Sequence, residues 1–76
     1  MTLDELLAPI LNTTVPLRLT DSPETIGEWD SLAQLNIFTA VEDIIGEELS
    51  TDEVMRMNTV SGIVEVCRTR GLELIP

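Results

Sequence analysis

Histidine and lysine are both absent from this 76-residue sequence, and its aromatic residues are one tryptophan and one phenylalanine. Without histidine, the usual Ser-His, Cys-His and His-metal arrangements are excluded within the chain. Cys67 is the single cysteine, so no internal disulfide can form. No run approaches the ~18 apolar residues of a membrane span, and the start, Met-Thr-Leu-Asp-Glu, lacks the basic region of a signal peptide. The expectation is a soluble cytoplasmic protein with no membrane span. Positive charge is scarce as well: four arginines face 14 acids, for a formal net charge of −10. Phosphate backbones and anionic lipids would repel such a chain, which argues against nucleic acid as a partner, whereas basic protein surfaces suit it.

Hydrophobic residues make up 43% of the chain, enough for one core of leucine, isoleucine, valine and methionine. A chain this short forms one domain, residues 1–76, and removes only roughly 60% of its unfolded surface from water. Its most informative stretch runs from Glu28 to Gly46. Asp30 is a good N-cap, neither proline nor glycine interrupts the segment that follows, and Gly46 supplies the stop. At about 100° per residue, Gln34, Ile37, Phe38, Val41 and Ile45 share one arc that would face a core. Leu32, Leu35, Asn36, Thr39 and Asp43 fall elsewhere. Two leucines outside the core arc, beside a serine in the first turn, suggest a modified Ser31 with a docking surface next to it.

The rest of the chain reads as helices around this one. Thr2 and Glu5 form a capping box that opens a short amphipathic helix to Leu11, with Leu3, Leu6, Leu7, Ile10 and Leu11 on one face. Pro9 removes a backbone donor and should kink or weaken its last turn. Residues 12–28 read as a long ordered loop, pinned by Val15, Leu17, Leu19, Ile26 and Trp29. Ser50 and Glu53 form a second capping box and open a helical turn through Met57, with Met55 and Met57 assigned to the core. Asn58 and Thr59 cap the last helix. There Val60, Ile63, Val64 and Cys67 share a face, Arg68 and Arg70 suit the negative C-terminal end, and Gly71 terminates. The tail folds back through Leu72, Leu74 and Ile75. Three longer helices and one short one, joined by a long first loop, predict an all-α four-helix bundle.

The order of these elements, with Asp-Ser-Leu opening the central helix, a Val-Glu-Asp acidic stretch and a Thr-Val start to the last helix, resembles the acyl carrier protein family. The match covers Trp29 to Cys67 without a gap, and more loosely the first helix and loop. In that family the serine of Asp-Ser-Leu accepts 4′-phosphopantetheine from coenzyme A, and the arm's thiol carries acyl chains as thioesters. The resemblance implies that Ser31 bears the group, flanked by Asp30 and Leu32. It further implies a monomeric, non-enzymatic shuttle with a phosphopantetheinyl transferase and acyl-loading and acyl-processing enzymes as partners. Typical fatty-acid carriers have glycine two residues before Asp-Ser-Leu and acids early in the central helix. Trp29 next to Asp30, with neutral Ala33 and Asn36, looks more like freestanding carriers of polyketide or other specialised pathways. Two other readings stand beside this one: an aminoacyl or peptidyl carrier domain, and a helical interaction module whose serine is never modified.

Partner docking falls to Leu35, Asn36, Thr39, Glu42, Asp43, Glu47 and Glu48. On one reading Leu32 and Leu35 form an apolar spot that partner enzymes cover, and the acids steer basic surfaces towards it. On the other, isolated exposed leucines are ordinary and the acids are a solvated helix face. Together with Asp52 and Glu53, these acids crowd one end of the molecule and predict self-repulsion at low salt.

Overall fold

The computed structural model describes residues 1–13 and 17–75. Its helices are α1 (Leu3–Leu11), α2 (Ser31–Ile45), α3 (Thr51–Arg56) and α4 (Val60–Thr69). Each begins where a short polar side chain takes over a first-turn donor. Thr2, Asp30, Ser50 and Thr59 accept from the N–H groups of Glu5, Ala33, Glu53 and Gly62 respectively. Glu5 and Glu53 complete capping boxes. The bond from the Thr2 backbone holds the Glu5 carboxyl below its ordinary range. α2 ends at Gly46, which turns left-handed (φ 74°) and donates its N–H to the Glu42 carbonyl. α1 runs on through Pro9 to Leu11 and is closed by a left-handed Asn12 (φ 54°).

The apolar faces meet in one core. Leu3, Leu6, Leu7 and Leu11 of α1 are buried with Ala33, Ile37 and Val41 of α2 and Val60, Ile63, Val64, Val66 and Cys67 of α4. Ile10, Phe38 and Ile45 are partly buried against them. Burial pushes the Cys67 thiol up to about 11. The radius of gyration is 11.1 Å, against about 11.4 Å expected for a packed chain of this length.

Among the pins assigned to the long loop, Leu17 and Trp29 are buried and Ile26 is partly buried. Val15 lies outside the described residues. Leu19 is 46% exposed and pins nothing with its side chain. Its carbonyl does so instead, accepting the Ser61 N–H at 3.0 Å while the Asp21 carbonyl accepts that of Val60 at 3.0 Å. The loop is thus fastened to the first turn of α4 by the donors that a helix start leaves without intrahelical partners. Asp4 of α1 accepts the Leu17 N–H at 3.1 Å and fixes the loop's other end.

Of the two methionines assigned to the core, Met57 is fully buried but Met55 is 70% exposed. Met55 lies on α3, none of whose residues is buried, whereas Met57 is the C-cap beyond it, where the backbone has left the helix. Ile75 is also exposed, and the tail docks through buried Leu74 and through backbone bonds between Ile75 and the Met1–Leu3 segment.

Arg70 departs most from the sequence reading. Its guanidinium reaches the acidic cluster, pairing with Glu53 through Nη2–Oε1 (2.6 Å) and Nε–Oε2 (2.7 Å) and with Glu47 through Nη1 (3.2 Å). Nη2 also donates to the Glu48 carbonyl at 3.0 Å. The expected crowd of free acids is therefore partly neutralised from within the chain.

Two measurements check this picture. Leu7→Ala and Ile63→Ala should each cost about 2–5 kcal/mol in urea unfolding, the usual range for emptying a full core site. The hydrogen bonds from Arg70, and then that from the Ser50 backbone, hold the Glu53 carboxyl down from 4.5 to about 2. A depressed carboxyl stabilises the fold above its unfolded pKa and loses that contribution as pH falls through the folded one. The melting difference between wild type and Glu53→Gln should therefore be constant above about pH 4.5 and shrink as pH falls towards about 2.

Candidate functional site

Ser31 is the first residue of α2 and is exposed. Asp30 sets its position: the Asp30 carboxylate accepts the Ala33 N–H at 2.9 Å, and the Asp30 carbonyl accepts that of Gln34 at 2.9 Å. The N–H groups of Ser31 and Leu32 have no acceptor among the described residues. They stand at the positive end of the helix, where an anion is favoured.

Behind this turn lies a polar bridge. The indole N–H of buried Trp29 donates to Gln34 Oε1, and Gln34 Nε2 donates to the Met57 carbonyl at 2.7 Å. One side chain thus ties the end of the long loop, α2 and the C-cap of α3 together. It also explains how a glutamine occupies the core-facing arc, since both ends of its amide are satisfied.

Beside Ser31 opens a groove of about 680 Å³ between α2 and α3. Trp29, Asp30 and Ser31 form one end, Gln34, Leu35 and Phe38 one wall, and Val54 and Met55 the other. Among the described residues Asp30 is its only charged lining residue, so they offer the groove an apolar surface and no cation. Its size falls within the range of small-molecule sites.

The residues assigned to partner docking divide into two groups. Leu32 (66% exposed), Leu35 (58% exposed), Asn36, Thr39 and Asp43 form a continuous exposed stripe along α2. Within it the Thr39 hydroxyl is used internally, donating to the Leu35 carbonyl at 3.0 Å. Glu42, Asp43, Glu47 and Glu48 line a second, acidic hollow of about 330 Å³ around Gly46. That hollow lies at the far end of α2, about 20 Å from Ser31 at 1.5 Å rise per residue. Glu42 is engaged there, accepting the Leu49 N–H at 2.9 Å, and Glu47, though exposed, pairs with Arg70, while Asp43 and Glu48 are exposed.

No family model, curated protein or solved structure matches the chain. The site therefore rests on its own geometry. Phe38, Val54 and Met55 were not singled out as site residues from sequence. The available signal was the pair Met55 and Met57, which lie two residues apart and so would not share a helix face.

Removing the bridge should be measurable. Gln34→Ala leaves the Trp29 indole N–H and the Met57 carbonyl without their partner at buried positions, a cost of about 1–3 kcal/mol. Chemical unfolding followed by Trp29 fluorescence should show that loss, with a red-shifted native emission as water reaches the indole.

Proposed function

We propose that this chain is an acyl carrier protein that bears 4′-phosphopantetheine on Ser31. One observation carries the reading: an exposed hydroxyl on the first turn of a capped, core-anchored helix, at the mouth of an apolar groove. The surrounding residues fit such a group. Ser31 is exposed, and the Ser31 and Leu32 N–H groups at the positive end of α2 would favour a phosphodiester on it by ~0.3–1 kcal/mol. Asp30 fixes the turn by its cap and takes no N–H from those two. When bound, the group supplies a terminal thiol on which acyl chains are held as thioesters. Leu32, Leu35, Asn36 and Thr39 offer a partner enzyme a mainly apolar strip beside the attachment point. Asp43, Glu47 and Glu48 favour partners whose docking surfaces are basic. The pathway proposed for such a carrier is polyketide or other specialised biosynthesis, or fatty acid synthesis.

Intact mass after incubation with coenzyme A and a promiscuous phosphopantetheinyl transferase tests the assignment. Wild type should gain one phosphopantetheine, and Ser31→Ala should gain none. A modified Ser31→Ala protein removes Ser31 from the role. An unmodified wild type leaves a helical interaction module as the reading, since the exposed strip on α2 would serve that equally well. For docking, Leu35→Ala should slow acyl loading or transfer several-fold while shifting stability by less than about 0.5 kcal/mol, as expected away from the core.

A further inference from the structure

α3 is six residues long and none of them is buried. A helix this short is not stable in water on its own, so contacts at its two ends must hold it against the molecule. Those ends are held differently. At the C-terminal end the Arg56 carbonyl oxygen sits directly on α4 at Gly62, where an added Cβ would lie 1.8 Å from it. The next residue, Met57, is fully buried, and its carbonyl accepts from Gln34. At the N-terminal end the attachment is mainly polar. Arg70 grips both oxygens of Glu53, one residue away from groove-lining Val54, and adds the Glu47 carboxylate and the Glu48 carbonyl. Partly buried Leu49 is the apolar contact nearest that end.

We propose that Arg70 is a latch on α3: when its pair with Glu53 breaks, the N-terminal end of α3 swings outwards about the fixed Met57–Gly62 end and widens the groove beside Ser31. The mechanics follow from which groups are anchored. Val54 and Met55 form the α3 wall of the groove, whereas the opposite wall belongs to α2, whose Ala33, Ile37 and Val41 are buried in the core. Movement at the first turn of α3 therefore changes the groove and leaves Ser31 in place. The bidentate geometry suits a latch, because two parallel bonds fix orientation as well as distance. The pair lies near the surface, with 23% of the Arg70 side chain and 15% of that of Glu53 exposed, so it is open to competition from salt and water. The inference does not depend on Ser31 being modified, and the unmodified protein is the sample for its test.

Glu53→Gln keeps a side chain that can complete the capping box with Ser50 while removing the charge that Arg70 grips. Arg70→Met keeps the apolar stem and removes the guanidinium. In both variants, amide hydrogen exchange at Val54 and Met55 should accelerate at least about tenfold, with the protected amides of α1 and α4 unchanged. A pair of spin labels at Asn36→Cys and Asp52→Cys, both exposed positions, should report longer and broader distances in either variant. Cys67 is fully buried with its thiol pushed up to about 11, so it stays unlabelled. Raising sodium chloride to about 1 M, where the Debye length is about 3 Å, should move wild type towards the variants and leave Arg70→Met unchanged. Unaltered exchange and distances in both variants overturn the latch. So does a uniform loss of protection across α1, α2 and α4, which would make the pair an ordinary contribution to global stability.

Discussion

The burial of Ala33, Ile37 and Val41 along one side of α2 is the constraint from which the rest of the site follows. These residues are four apart and form a narrow stripe, so seating them in the core fixes the rotation of the helix about its axis. At about 100° per residue, Leu35 and Thr39 then fall nearly opposite Ile37, and Leu32, Asn36 and Asp43 fall on the same outer side. Gln34, Phe38 and Ser31 occupy the flank between core and solvent, which is the flank where the groove runs. One helix thus carries an inward face, an outward strip and a groove wall. No residue can move between these faces without rotating the core stripe out of the interior.

Polar contacts explain how the described residues of the long connection are tied to so small a core. Among the described residues no buried side-chain nitrogen or oxygen lacks a hydrogen-bond partner. Among its described residues the loop adds Leu17, Ile26 and Trp29 to the apolar interior, and its carbonyls are placed where α4 needs acceptors. Val60 and Ser61 donate to Asp21 and Leu19, Gly62 donates to the Thr59 hydroxyl, and Ile63 donates to the Thr59 carbonyl. All the first-turn donors of α4 are therefore satisfied, two of them by chain some forty residues earlier. Asp21 stiffens the acceptor side of this arrangement, its carboxylate accepting from the Arg18 N–H at 2.7 Å and the Thr25 hydroxyl at 3.0 Å.

What was legible in the sequence was what depends on near neighbours. The helix starts at Thr2, Asp30, Ser50 and Thr59, the stop at Gly46 and the leucine face of α1 are decided within four residues, and the structure places them as the sequence reads. The outward orientation of Leu32 and Leu35 was legible too, because helical periodicity alone fixes it relative to Ile37 and Val41. What misled was pattern without a partner. Leu19 reads as a pin of the loop because it is apolar, but in a loop the backbone carbonyl can do the fastening and leave the side chain exposed. Met55 and Met57 look alike by composition, and only the packing of α3 on α4 decides between them. Arg70 reaches acids 17 and 23 residues away, a pairing that no local rule finds. Gln34 was on the correct arc, but its bond to the Met57 carbonyl spans 23 residues and was equally invisible.

The two walls of the groove are therefore held by different physics. The α2 wall is set by buried apolar surface and a capped first turn, contacts that salt hardly touches. The α3 wall is set at one end by close packing of Arg56 against Gly62 and at the other by charge. On the reading proposed for Ser31, this division has a consequence for an attached group. Its point of attachment belongs to the rigid wall, so its direction of departure is fixed, while the room beside it is governed by the polar contacts of α3. A carrier must hold its attachment point in one geometry for every partner and yet accommodate cargo of changing size. On the readings proposed for Ser31 and Arg70, placing the serine on the core-bound helix and the adjustable wall on a helix without a buried residue separates those two demands.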